Sequence, residues 1–145
     1  MDKFTIVIPV YNEAKNLRIL IPKIYQELKN IKFQLIIVDD NSNDGTSNVL
    51  KKFKKKNLNY IIRKSERDLS KSCILGFKKA RYKNIIVMDG DLQHKPSDIK
   101  KFLRIFHKNN PDIIVGTRDL FKNKKHNLNI FRLFASRVLI LSVNL

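Results

Sequence analysis

FTIVIPV, residues Phe4–Val10, followed at once by Tyr11-Asn12-Glu13, is the stretch on which the fold turns. It is β-branched and almost continuously apolar, the pattern of a strand covered on both faces. The pattern recurs at Gln34–Val38 (QLIIV), Leu58–Ile62 (LNYII), Asn84–Met88 (NIIVM) and Asp112–Val115 (DIIV). Between these runs lie helix-length segments. Leu17, Leu20, Ile21, Ile24 and Leu28 recur at helical spacing in Ala14–Asn30, and Ile99, Phe102, Leu103 and Phe106 do so in Ser97–Lys108. Asp44–Lys56 and Leu69–Arg81 supply two further helices, the first in a very basic frame. Alternation of this kind predicts an α/β fold, with a mainly parallel sheet, right-handed crossovers and helices on both faces.

The chain has 145 residues, and 43% of them are hydrophobic, as befits a globular protein rather than a disordered one. One domain over residues 1–145 is expected. The lone cysteine, Cys73, excludes an internal disulfide and a cysteine-based zinc site, and helical spacing places it in the core. No apolar run reaches the length of a membrane span, and Met1-Asp2-Lys3-Phe4 lacks the basic-then-apolar order of a signal peptide. A cytoplasmic setting is the expectation. The formal net charge of +17 calls for an anionic partner without saying which.

The acids are clustered where the bases are not. Asp39, Asp40, Asp44, Asp89 and Asp91 fall in two short segments, and packed carboxylates are costly unless a cation or donor uses them. The polar motifs follow strands: Tyr11-Asn12-Glu13, Asp39-Asp40, Asp89-Gly90-Asp91 and Gly116-Thr117-Arg118. Open parallel sheets bind ligands beyond the carboxyl ends of their strands. With four glycines and neither a G-x-G-x-x-G nor a G-x-x-x-x-G-K-[ST] motif, a backbone phosphate cradle is excluded. Asp89 and Asp91 offer another route, since carboxylates flanking a glycine can hold Mg²⁺ or Mn²⁺ against a diphosphate. Asp39 or Asp40 suits a base or a ribose hydroxyl, whereas Ser42–Thr46 reads as a turn and helix cap.

Taken together, IVIPVYNE (Ile6–Glu13), IIVDDNSNDGT (Ile36–Thr46), VMDGDLQHKP (Val87–Pro96) and VGTR (Val115–Arg118) make the chain recognisable. It resembles glycosyltransferase family 2, in its dolichyl- or polyprenyl-phosphate mannosyltransferase-like branch, from about Phe4 to Arg137. DLQHxP after the acidic dyad is the most distinctive mark of that branch. The resemblance implies a GT-A (Rossmann-like) nucleotide-sugar-binding fold. Pro9, Tyr11, Glu13 and Asp40 would surround the nucleoside, with Asp39 beside them. Asp89, Asp91 and Gln93 would bind metal and diphosphate, and Arg118 and Arg132 would face the phosphates of donor and lipid acceptor. The implied reaction is transfer of a hexose, mannose or glucose, from a nucleotide-diphosphate sugar to a polyprenyl or dolichyl phosphate. The acceptor phosphate is already ionised, so attack needs no general base; it needs positive charge and a stabilised leaving group. Asp91, Gln93, Arg118 and Arg132 are therefore the expected catalytic set.

Two departures stand out. Leu69-Ser70-Lys71 lies where the family commonly has glycine and lysine, and the chain is shorter than family catalytic domains. The expectation is a domain incomplete on its acceptor side, with residues 119–145 forming an acceptor loop and a membrane-facing amphipathic helix. Arg118–Arg137 carries a net charge of +5 and leads into an apolar run, which suits peripheral contact with anionic lipid on the cytoplasmic face. A nucleotide-sugar-binding remnant without turnover is one alternative. A basic nucleic-acid-binding module is another, but no such module's signature is present and no nucleic-acid partner is expected.

Overall fold

A computed structural model describes residues 3–116. Packing divides the chain into two compact units, Met1–Pro111 and Asp112–Leu145, and the fold described below is that of the first. Its elements alternate strictly: β1 (Phe4–Val10), α1 (Ala14–Glu27), β2 (Phe33–Asp39), α2 (Thr46–Lys52), β3 (Leu58–Ile62), α3 (Leu69–Lys78), β4 (Asn84–Val87) and α4 (Pro96–Asn109). The strands form one parallel sheet in the order β3-β2-β1-β4. The chain moves outward from β1 to β3, then returns past β1 to β4. The strand order therefore reverses between β1 and β4, where a sheet of this kind opens its ligand crevice.

Both faces carry helices, but unequally. Phe4, Ile6, Ile8 and Val10 of β1 join Leu35 and Ile37 of β2 in the main core, beneath Leu17, Leu20, Ile21 and Ile24 of α1. Helix α1 packs between α2 and α4. On the other face lie Val7, Ile36 and Val38, covered among the described residues by α3. Gly76 makes that cover possible: a Cβ there would stand 2.3 Å from Val7 Cγ1, so α3 lies closer to the sheet than any larger residue permits.

The expectation for Cys73 is corrected: placed in the core by its helical spacing, it is only half-buried, and Tyr60 and Phe77 stay partly exposed. Ile85 and Val87 share the α3 face of β4 and are likewise exposed. Residues 112–115, expected as a fifth strand, have no regular secondary structure. The helix expected over 128–145, with the acceptor loop and membrane-facing segment, lies outside the described residues.

Candidate active site

The carboxyl edge of the sheet is built by two loops laced together. Asn12 N–H donates to Ser42 Oγ (2.7 Å) and Asn43 N–H to Asn12 Oδ1 (3.0 Å). Glu13 N–H donates to Thr46 Oγ1 and Ala14 N–H to Asp44 Oδ2. Amides at the start of α1 are thus capped from the loop after β2 rather than by their own. Asn12 and Asn41 both sit at positive φ, a conformation asparagine tolerates better than most residues. Burial raises and hydrogen bonds lower the pKa of Asp44; the bonds from the Thr46 hydroxyl and the Ala14 and Thr46 amides win, so it lies below its ordinary value.

Pro9 opens the crevice. Val10 turns its carbonyl toward β2, where it accepts from Asp40 N–H, while Val7 turns its carbonyl toward β4, where it accepts from Met88 N–H. Pro9 therefore lacks its N–H on the β4 side, just past the last paired residues Val7 and Val87. There β4 leaves the sheet and enters Met88-Asp89-Gly90-Asp91. Gly90 is pressed against β1, since a Cβ on it would come within 2.7 Å of Val10 Cγ1 and 3.6 Å of Glu13 Cγ. Glu13, also bonded to Asn16 Nδ2, thus lies directly against the acidic turn. Asp91 Oδ1 accepts the Gln93 N–H at 2.9 Å, an Asx turn that fixes the second carboxylate.

Asp39 and Asp40 are adjacent in sequence but part company in space, because successive strand residues point to opposite faces. Asp39 follows the α1 face beside Val10 and is fully buried. Its Oδ1 accepts from the Ser42 N–H and hydroxyl, while no described group donates to its Oδ2. Asp40 turns to the α3 face and binds Arg63 in a buried ion pair. Its second oxygen accepts Asp68 N–H at 2.7 Å. Arg63 also donates to the carbonyls of Asp68 and Glu66 and to the hydroxyls of Ser65 and Ser72. One guanidinium therefore secures the loop after β3, whose Asp68 caps α3 through Lys71 N–H. From that loop the Arg67 guanidinium lies 4.4 Å from the Tyr11 ring centroid, a cation–π contact over the partly exposed ring.

Tyr11, Asp40 and Asp89 thus fall on the α3 side of one edge; burial and, after it, the nearby Asp89 carboxylate both raise the pKa of the Cys73 thiol in α3. Arg63 and Arg67 went unread in the sequence. Their one signal is position: Arg63 follows the apolar run LNYII directly, as ligand residues do in such sheets, and Arg67 lies in the same loop, four residues on. Arg118 and Arg132 lie outside the described residues. A shallow groove of about 370 Å³ elsewhere, lined by Gln34, Asn59, Tyr60, Ile61, Lys79 and Arg81, holds less chemistry. Gln34 there already bonds Thr5, Asn59, Lys79 and Arg81.

The model of Glycosyl transferase family 2 matches residues 5–138. The chain belongs to glycosyltransferase family 2. It is 35% identical over 136 residues to a dolichol-phosphate mannosyltransferase of Pyrococcus furiosus, covering 93% of this chain and 38% of that protein. Over 124 residues it is 34% identical to the dolichol-phosphate mannosyltransferase of Mycosarcoma maydis, covering 79% of this chain and 41% of the relative. These relatives place it in the dolichyl-phosphate mannosyltransferase-like branch, and the chain spans about two fifths of their length. Among solved structures, S. aureus TarS (residues 1–349) superposes with a TM-score of 0.64 at 19% identity, over 83% of this chain and 40% of TarS. The mannosyltransferase PcManGT of Pyrobaculum calidifontis, in complex with GDP-Man and Mn²⁺, superposes with a TM-score of 0.58 at 22% identity, over 66% of this chain and 29% of its own. The shared architecture is the GT-A fold.

Proposed function

We propose that this family 2 chain carries the donor-binding portion of an inverting transferase. It would move a hexose from a nucleotide-diphosphate sugar to a polyprenyl or dolichyl phosphate. The observation that supports the reading is that Tyr11, the Asp40–Arg63 pair and the Asp89–Asp91 turn all stand at the carboxyl edge of one parallel sheet, the turn between β1 and β4 where strand order reverses. Pro9 and Tyr11 would flank the nucleoside, with Asp40 and Asp39 offering carboxylate oxygens and Glu13 bracing the acidic turn.

Asp89 and Asp91 suit Mg²⁺ or Mn²⁺, hard cations held through one or two carboxylates with substrate phosphates and water completing the shell. Both ride on one tight turn, and the Asp89 side chain is 54% exposed, open to a ligand. Among the described residues no three His, Cys, Asp or Glu side chains gather, a cluster such a phosphate-bridged site does not require. Gln93 would add a neutral oxygen. When bound, the ion supplies positive charge to the departing diphosphate.

The acceptor phosphate attacks as an anion. Its oxygen bonds to the anomeric carbon on the face opposite the diphosphate, whose C–O bond breaks, so the configuration inverts. The protein's own task is to hold two anions in line, which suits the planar forks of Arg118 and Arg132. No helix among the described residues is long and apolar enough to cross a membrane. Peripheral contact through the basic Arg118–Arg137 segment, on the cytoplasmic face, would bring the lipid acceptor to the site. The test is transfer of labelled mannose from GDP-mannose into polyprenyl phosphate by the purified chain. Asp91→Ala is expected to abolish it; near-normal metal-dependent transfer in that variant overturns the assignment.

A further inference from the structure

The acidic turn is held in a shape it would not adopt alone. Leu92 sits at φ +65, a conformation that leucine avoids, and its half-buried side chain packs against the main core. Gly90 is wedged against Val10, and the Asp91 carboxylate engages Gln93 N–H. The remaining strand-end donor is Asp89 N–H, which lies one residue beyond the last sheet bond, Met88 N–H to Val7 carbonyl. It finds its acceptor in the His94 ring: Asp89 N–H donates to Nδ1 at 3.2 Å. The imidazole therefore closes the segment from Asp89 to His94, which carries both acidic residues, into a hydrogen-bonded loop.

We propose that His94 is a positioning residue for the Asp89–Asp91 turn, setting the geometry in which the two carboxylates meet a divalent cation, without being a ligand itself. The proposal rests on the metal reading above. The donor–acceptor arithmetic supports it. The Nδ1 lone pair that accepts the Asp89 N–H cannot at the same time be given to a metal, so Nδ1 is committed to the turn. What the turn requires is an acceptor two bonds beyond Cβ, and asparagine Oδ1 stands at the same place as Nδ1. Outer groups of this kind orient metal ligands, and their loss commonly weakens metal binding tenfold or more. The ring also lies 3.8 Å from Asp89 Oδ2, close enough to restrict that carboxylate's rotation.

The experiment compares wild type, His94→Ala, His94→Asn and Asp91→Asn. Mn²⁺ binding is read from the free-ion electron paramagnetic resonance signal with GDP-mannose present, and thermal unfolding is followed in parallel. Expected are a loss of about tenfold in Mn²⁺ affinity for His94→Ala, near-wild-type affinity for His94→Asn, and a wild-type unfolding midpoint for both. Wild-type Mn²⁺ affinity in His94→Ala overturns the proposal, as does an Asn variant no better than Ala. If Asp91→Asn loses Mn²⁺ while His94→Ala keeps it, the positioning role alone falls; if Asp91→Asn also keeps it, the metal reading falls and this proposal with it. Amide exchange in the wild type adds a test independent of any variant. The Asp89 N–H should be protected, and exchange at the rate of an open chain contradicts the contact.

Discussion

Arg63→Met removes the group that ties the end of β2 to the loop after β3 and to α3. Both partners of the Arg63–Asp40 pair are nearly dry, with side chains 7% and 5% exposed. Deleting the guanidinium leaves Asp40 charged and buried with Asp68 N–H as its remaining donor among the described residues, and strands the carbonyls of Asp68 and Glu66. Breaking a buried pair from one side costs about 3–5 kcal/mol, a large share of the roughly 5–15 kcal/mol that holds a domain. With a urea slope of about 2 kcal/mol/M, the unfolding midpoint should fall by about 1.5–2.5 M. Equilibrium urea titration followed by circular dichroism measures it. The companion variant Arg63→Met/Asp40→Leu removes both charges and should recover at least half of the loss, because the uncompensated carboxylate dominates the cost. A single variant within about 1 kcal/mol of wild type, or a double variant no better than the single, refutes the reasoning. A functional consequence goes with it: the released loop takes Arg67 off the Tyr11 ring.

Gly76→Ala should destabilise despite the better helix propensity of alanine. The new Cβ meets the stiff, fully buried Val7 at 2.3 Å, and overpacking of about 1–3 kcal/mol exceeds the roughly 1 kcal/mol that propensity returns. Urea midpoints check it, and an unchanged or raised midpoint contradicts the close approach of α3. Asp44→Ala should cost about 1 kcal/mol, the usual worth of a cap. Because the folded-state pKa of Asp44 lies below the unfolded value, its contribution is complete above about pH 4 and is lost as pH falls through the depressed value. Thermal midpoints from pH 6 to pH 2 should therefore converge for wild type and variant at the acid end; a constant gap down to pH 2 refutes the linkage.

Much of this molecule is written in its hydrophobic pattern. Four strands and four helices lie where alternation and helical spacing put them, because each apolar run has a partner to bury against. DIIV at 112–115 has the same composition and no regular secondary structure, because β propensity reports fit to a neighbouring strand rather than composition alone. The exposure of Tyr60, Phe77, Ile85 and Val87 was equally hidden, because the pattern of a strand does not say how many helices cover each face. At the site, the carboxyl-edge motifs were legible as types of chemistry. Their division of labour was not: Asp39 and Asp40 read as one pair and serve opposite faces, and Ser42–Asp44 read as a local cap but close the start of α1 across the sheet edge. Such bonds join residues some thirty positions apart, beyond the reach of any local pattern.

The central claim is that the edge where Asp89 and Asp91 stand takes a nucleotide-diphosphate sugar through a divalent cation. Calorimetric titration of GDP-mannose into the purified chain, with Mn²⁺ and then with chelator, tests it most directly. The account predicts saturable binding that needs Mn²⁺ and disappears in Asp91→Ala. Binding that is indifferent to chelator and to Asp91→Ala, or no binding of GDP-mannose and of a uridine-diphosphate sugar alike, would contradict it.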